Sequence, residues 1–344
     1  MGTYRNKELL IKILEVLNKH TDENHPLTQK EILDILRINY DPQVDRKTVA
    51  RNLDVLDELG YVECDDQRKR TILNAENKPE ESTLHTSYYL VHRFTDSELR
   101  LLIDGLLFSK HIPYNQCKEL VEKLRGLSSK HFGFKVRHVY ALPETKAENT
   151  DLFYTIEILD EAIANEKQVA FTYNKYGTDK KLHPRRSYEY IVNPYQMAAT
   201  NGRYYLIGNN DKYSDLVNFR VDRITGIRLL DTPVKPKEQV KGAGKNFSLS
   251  DHMAEHPYMF GGESVIVTFR MSKDVLDDVI DWFGTDVAFF DETVDEVTAR
   301  VTVNWHAMRH WALQYCRHIT ILSPTDLAQK VKEDLQTALK NYGA

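Results

Sequence analysis

The chain has 344 residues, 41% of them hydrophobic and 28% charged, with a net charge of −5 and three cysteines. At roughly 100–200 residues per domain, this ordinary globular composition implies two or three domains with a core each. No apolar run approaches the ~18 residues of a membrane span, and the net charge does not advertise a nucleic-acid partner, so any such function must come from local patches. The amphipathic start "MGTYRNKELLIKILEVLNKH" contains acids and is unlike a signal peptide. Cys64, Cys117 and Cys316 are few and far apart, which points to a reducing, cytoplasmic setting rather than a disulfide framework.

Residues 1–78 read as a winged helix-turn-helix DNA-binding domain. Leu9, Leu10, Ile13, Leu14 and Leu17 recur at helical spacing, and Thr28 with Glu31 forms a capping-box signature for a second helix. A third helix starts at the N-cap Asp45, carries Val49, Leu53, Leu56 and Leu59 on one face, and ends at Gly60. "YVEC" then reads as a strand, "DDQRKR" as a turn and "TILNA" as the return strand. Residues 1–80 hold 13 Lys+Arg against 16 Asp+Glu, a net of −3, but the charges are segregated. Arg46, Lys47 and Arg51 crowd the first turns of the third helix, Arg68, Lys69 and Arg70 the hairpin tip, and Asp54, Asp57 and Glu58 the far end of the helix. That polarity suits a recognition helix entering a major groove, with the basic residues on phosphates and Thr48 and Asn52 reaching base edges or a backbone oxygen. A solvated helix face beside a basic turn is the plainer alternative.

The stretch "AENKPEEST" reads as a linker into a helical connector over 79–150, where Thr95 and Glu98 make a second capping box. From 151 the period changes. One helix precedes the short strands "QVAFTY", "YEYIVNPYQMAAT", "RYYLIG" and "VNFRVDRITGIRLL", which is the pattern of a small SH3/Sm-like β-barrel over 151–231. Residues 232–259, rich in Pro, Gly and Lys, read as a second linker. A β-α-β-β-α order over 260–344 is that of a C-terminal ferredoxin-like module. The fold class expected is therefore multidomain α+β.

The quoted features "FTY", "VNPYQM", "NGRYYLIG" and "NFRVDRI" resemble the WYL domain, named for a Trp-Tyr-Leu tripeptide. With a helix-turn-helix before it and an extension after it, the chain resembles WYL-type bacterial transcription regulators. Tyr204 stands where the family has Trp, which keeps an aromatic face and adds a hydroxyl. The resemblance implies a regulator whose barrel senses a nucleic-acid fragment or nucleotide, a homodimer with a regulatory extension, and control of DNA-damage or phage-defence genes; a repressor is expected, with an activator as the alternative.

Arginine forks bind phosphate and tyrosine rings offer stacking surface to bases. Tyr173, His183, Arg185, Tyr204, Arg220 and Arg223 form the expected ligand pocket. Arg220 and Arg223 point to opposite faces of a regular strand, so both line one site only if the strand ends or bulges between them, and one of them could instead pair with Asp222. The i, i+4 pairs His252/His256 and His306/His310 lack the HExxH pattern and read as polar faces, so no metal, cofactor or catalytic residue is expected. The expected partners are an operator duplex, an anionic effector and a second copy of the chain, with no membrane. A nucleic-acid-processing enzyme or accessory factor with the barrel as substrate platform, or a peptide-binding scaffold, are the rival readings.

Overall fold

The computed structural model describes residues 2–64, 67–73, 79–85, 87–132, 149–210, 212–244 and 247–343. The fold is mixed α+β and divides into two compact units, Met1–Lys146 and Ala147–Ala344. Among the described residues no helix is long and apolar enough to cross a membrane.

The first unit opens with α1 (Gly2–His20), β1 (Leu27–Thr28), α2 (Gln29–Asn39) and α3 (Arg46–Glu58). Local chemistry sets their ends. Thr28 Oγ1 accepts from the Glu31 amide while the Glu31 carboxylate accepts from the Thr28 amide at 2.8 Å, closing the capping box. Asp45 accepts from the Thr48 amide at 3.1 Å, and Gly60 stops the run with φ +73°, a conformation that costs a residue without Cβ nothing. Ile13, Leu17, Ile32, Leu36, Val49, Leu53 and Leu56 bury the apolar faces of all three helices in one cluster.

The strands of this unit differ from expectation. β2 (Val62–Cys64) pairs with β5 (Ser87–Leu90), which also pairs with β1, giving the order β1-β5-β2. β3 (Gln67–Leu73) pairs instead with β4 (Pro79–His85) as a separate antiparallel ribbon. Arg68, Lys69 and Arg70 therefore belong to a strand, opposite Leu84, Thr83 and Ser82, and not to a turn. "AENKPEEST" is correspondingly no linker from Pro79 on. Charged residues are accommodated in two-stranded ribbons as well as in turns, so clustered charge was a poor turn signal. α4 (Asp96–Phe108), capped by Thr95 and Glu98, and α5 (Tyr114–Arg125) follow, with Leu99, Ile103 and Phe132 buried between them.

The second unit starts with α6 (Leu152–Ala164), which buries Leu152, Leu159 and Ala162. A curled antiparallel sheet, a half-barrel, follows: β6 (Lys167–Tyr176), β7 (Leu182–Pro184), β8 (Tyr190–Thr200), β9 (Arg203–Asn210), β10 (Leu216–Arg220) and β11 (Ile224–Pro233). The strand order is β10-β9-β8-β6-β11, with β7 on the far end of β6. Register shifts between Pro194 and Gln196 and within the β11–β6 pair bend the sheet. At Gly208 any Cβ would stand 2.6 Å from the Asn193 carbonyl oxygen, so the close approach of β9 to β8 requires glycine.

The stretch after β11 is not a free linker. Val240 and Ala243 are buried with Tyr195, Tyr205, Ile207 and Leu216 of the sheet and with Met259. The Lys235 amide donates to Asn193 Oδ1 at 2.9 Å, and the Lys241 amide to the Ser214 carbonyl at 2.8 Å. Two small apolar residues among Pro, Gly and Lys suffice because the sheet supplies the rest of the apolar surface. β9 consequently has both faces covered, and its residues from Tyr205 to Asn210 are all buried. α7 (Leu249–Glu255) leads to the last module: β12 (Ser264–Ser272), α8 (Leu276–Phe283), β13 (Ala288–Phe290), β14 (Glu296–Asn304), α9 (Trp305–Gln314), β15 (Ile319–Ser323) and α10 (Thr325–Asn341). Its antiparallel sheet runs β13-β14-β12-β15, with Val267, Phe269 and Met271 buried against Phe283, Met308, Trp311 and Leu327.

Candidate functional site

At the amino-terminal end of α3, the Arg46, Lys47 and Arg51 side chains are exposed and have no partner among the described residues. Thr48 and Asn52 are half-buried and partly committed to their own helix: the Thr48 hydroxyl donates to Asp45 at 3.3 Å and the Asn52 amide to the Thr48 carbonyl at 2.8 Å. The Arg68, Lys69 and Arg70 side chains lie outside the described residues.

The half-barrel gathers its charges where β10 ends. The strand stops at Arg220, and a 3₁₀ turn over Val221–Arg223 leads into β11, so the condition for Arg220 and Arg223 to serve one site is met. Asp222 sits in this turn at 1% exposure. Its carboxylate accepts from Arg220 Nε at 3.0 Å and Nη2 at 2.5 Å, a bidentate fork, and Arg203 Nη1 approaches to 3.8 Å. Burial is the largest single influence and works against the Arg220 charge, but the Asp222 hydrogen bonds and charge, together with Tyr205 and Tyr173, outweigh it and raise its pKa. Burial, then repulsion from Arg220, lowers that of Arg203. Arg223 takes no part in the fork. Its Nε is buried without a hydrogen-bond partner, and its guanidinium lies over the Tyr176 ring, 5.9 Å from the centroid. Arg220 and Arg203 thus share one carboxylate with the Arg223 charge close by, leaving a local excess of positive charge.

The other expected pocket residues have more modest placements. Tyr173 is buried edge-on to Phe219 with centroids 5.2 Å apart, and its hydroxyl accepts from the Arg220 amide at 3.1 Å. His183 is exposed and held by Asp179 at 2.8 Å. The Arg185 amide donates to the Tyr173 carbonyl at 2.8 Å, while its side chain stays exposed without a partner among the described residues. Tyr204 is half-buried. Arg220 pairs with Tyr205, and Phe219 with Leu206, so the pleat puts Tyr204 on the opposite face from Arg220.

The sequence offers Asp222 only as an optional partner of one arginine, and the expected pocket leaves out Arg203, Tyr176 and a cation–aromatic group around Arg186. The Arg186 guanidinium lies over Tyr190 at 5.0 Å and Tyr188 at 5.6 Å, and Lys212 over Tyr188 at 4.6 Å. The i, i+2, i+4 spacing of Arg186, Tyr188 and Tyr190 carried that signal.

The expected pair His252 and His256 is stacked, with ring centroids 4.1 Å apart. His252 Nε2 meets Asn218 Oδ1 at 3.2 Å, and both imidazoles line a cavity of about 480 Å³ with Asp215, Lys241 and Glu263. No group of three or more His, Cys, Asp or Glu suited to a metal ion occurs among the described residues.

Residues 154–229 match the WYL domain family, inside the stretch 151–231 expected for the barrel. No curated protein matches the chain. Among solved structures, the chain is similar to proteasome accessory factor B/C (PafBC) of Arthrobacter aurescens, at 15% identity and a TM-score of 0.29. That match covers 98% of this chain and 49% of the other, so the chain spans about half the length of that protein. It is also similar to a CRISPR Cas-related protein, at 13% identity and a TM-score of 0.40, over 98% of this chain and 86% of the other.

Proposed function

We propose that the protein is a ligand-responsive, DNA-binding transcription regulator in which the WYL half-barrel senses an anionic nucleotide or oligonucleotide. The observation that carries this reading is the arginine cluster at the end of β10: Arg220 spent on Asp222, and Arg223 held beside it with a buried Nε that lacks an acceptor. A phosphate oxygen supplies that acceptor and offsets the repulsion among the three guanidinium groups. In this reading the ligand is bound and not turned over.

The first unit acts as a winged helix-turn-helix, α3 lying in the major groove and the β3–β4 ribbon gripping phosphate. The exposed Arg46, Lys47 and Arg51 are free to neutralise the backbone. The last module acts as a ferredoxin-like regulatory extension, and the protein works as a cytoplasmic homodimeric repressor on a two-fold operator. Ligand shifts the dimer between DNA-competent and DNA-incompetent arrangements, which requires unequal affinity for the two.

Selection of bound fragments from the source genome, followed by titration across salt, tests the DNA half. The expected result is a repeated site and a steep salt dependence, with Arg46→Ala and Arg51→Ala each reducing the log–log slope by about 0.9. Unchanged affinity and slope in both variants contradict it.

A further inference from the structure

Arg186 has an unusual setting for a surface arginine. Its guanidinium lies over two tyrosine rings, Tyr190 at 5.0 Å and Tyr188 at 5.6 Å, and its Nη1 donates to the Tyr188 hydroxyl at 3.0 Å. It also hydrogen-bonds Tyr213. No carboxylate pairs with it among the described residues, nor with Lys212, which lies 4.6 Å from the Tyr188 centroid. The tyrosines are open to solvent: Tyr188 is 50% and Tyr213 51% exposed.

A surface cation that only needed neutralising would find an acid. Here two cations are instead held in place by aromatic rings and hydroxyls, which orient them without a carboxylate partner among the described residues. Tyr188 in turn is fixed by its hydroxyl and by the neighbouring Tyr190 ring, 6.5 Å away at an interplanar angle of 30°. A half-exposed ring held with two cations lying over it, neither paired with a carboxylate among the described residues, matches one ligand chemistry: a planar base linked to a phosphate. Stacking is sequence-tolerant because every base has a π-face, and the cations follow the backbone.

This platform is joined to the arginine cluster by a line of rings. Tyr190 lies 5.9 Å from Tyr173, whose hydroxyl accepts from the Arg220 amide at 3.1 Å. We infer that Arg186, Tyr188, Lys212 and Tyr213 form a second subsite that stacks one base of a single-stranded oligonucleotide whose terminal phosphate occupies the Arg223 subsite. The inference rests on the anionic-ligand reading above. Its consequence is length discrimination: a mononucleotide reaches only the arginine cluster, whereas an oligonucleotide reaches both subsites.

Calorimetric titration of the full chain with thymidine 5′-monophosphate and with 5′-phosphorylated pentathymidylate tests it. The wild type binds the pentamer about tenfold more tightly than the monomer, the gain of one stacked base. Tyr188→Ala abolishes that ratio and leaves monomer affinity unchanged, while Tyr188→Phe, which keeps the ring, retains most of it. Arg223→Ala weakens both ligands alike. A Tyr188→Ala protein that keeps the wild-type ratio, or a wild type with no preference for the pentamer, overturns the subsite and spares the arginine cluster. A wild type that binds neither ligand overturns the anionic-ligand reading itself.

Discussion

Arg46 and Arg51 stand exposed on α3 with no partner among the described residues, whereas Arg220, at 17% exposure, is locked onto Asp222 beneath the half-barrel surface. The first arrangement suits a ligand whose charges are evenly spaced and generic. Long mobile side chains follow a duplex backbone, and the gain comes from counterion release and not from fit. The second suits a ligand of fixed shape. The cost of burying cations is met in advance by a carboxylate and by aromatic faces, so the donors are already aimed. The same side chain suits either purpose, and burial decides which.

Removing the buried organiser breaks the comparison most severely. Asp222→Asn leaves Arg220 and Arg203 without their anion in a largely desolvated turn, and should destabilise the second unit by about 3–5 kcal/mol. Chemical denaturation with a probe in that unit reads the loss. A change under ~1 kcal/mol would mean that the arginines are solvated like those of α3.

Protons sharpen the same contrast at a smaller scale. Burial, followed by the neighbouring His256, pushes the His252 pKa down to about 4. An unfolded imidazole titrates near ~6.5. The folded state therefore holds fewer protons than the unfolded one between these values. The contribution is fully present above about pH 6.5, is lost as pH falls toward about 4, and is level below that. Allowing for partial solvation, the loss is on the order of 2 kcal/mol. Denaturation curves from pH 7.5 to 4.5 should fall more steeply for the wild type than for His252→Gln. Parallel curves would show that the stacked imidazoles are not desolvated.

Legibility from sequence followed the range of the interactions involved. The caps at Thr28, Asp45, Thr95 and the stop at Gly60 are local, and each was visible in a few letters. The barrel stretch was visible in its alternation and its "FRVDRI" run, and residues 154–229 carry the family match. Pairing partners were not legible. β2 pairs with β5 across an intervening ribbon, and no turn signal announces that. Nor could composition show that Val240 and Ala243 dock on the sheet, because the surface that buries them lies some forty residues earlier in the chain. In the site, Arg220 and Asp222 stand two apart, and their pairing was one of the options open in the sequence. That Tyr204 and Arg220 fall on opposite faces follows from the β9–β10 register alone. Choosing Arg185 over Arg186 missed the alternation with Tyr188 and Tyr190.

The most direct test joins the two regions. Anisotropy of a selected duplex is measured with the wild type and with Arg223→Ala, each with and without 5′-phosphorylated pentathymidylate at fixed salt. The account predicts that the oligonucleotide changes duplex affinity about tenfold or more in the wild type, and that Arg223→Ala binds the duplex normally but loses the response. Duplex affinity that is indifferent to the oligonucleotide in the wild type would contradict the claim that the half-barrel governs the DNA-binding unit.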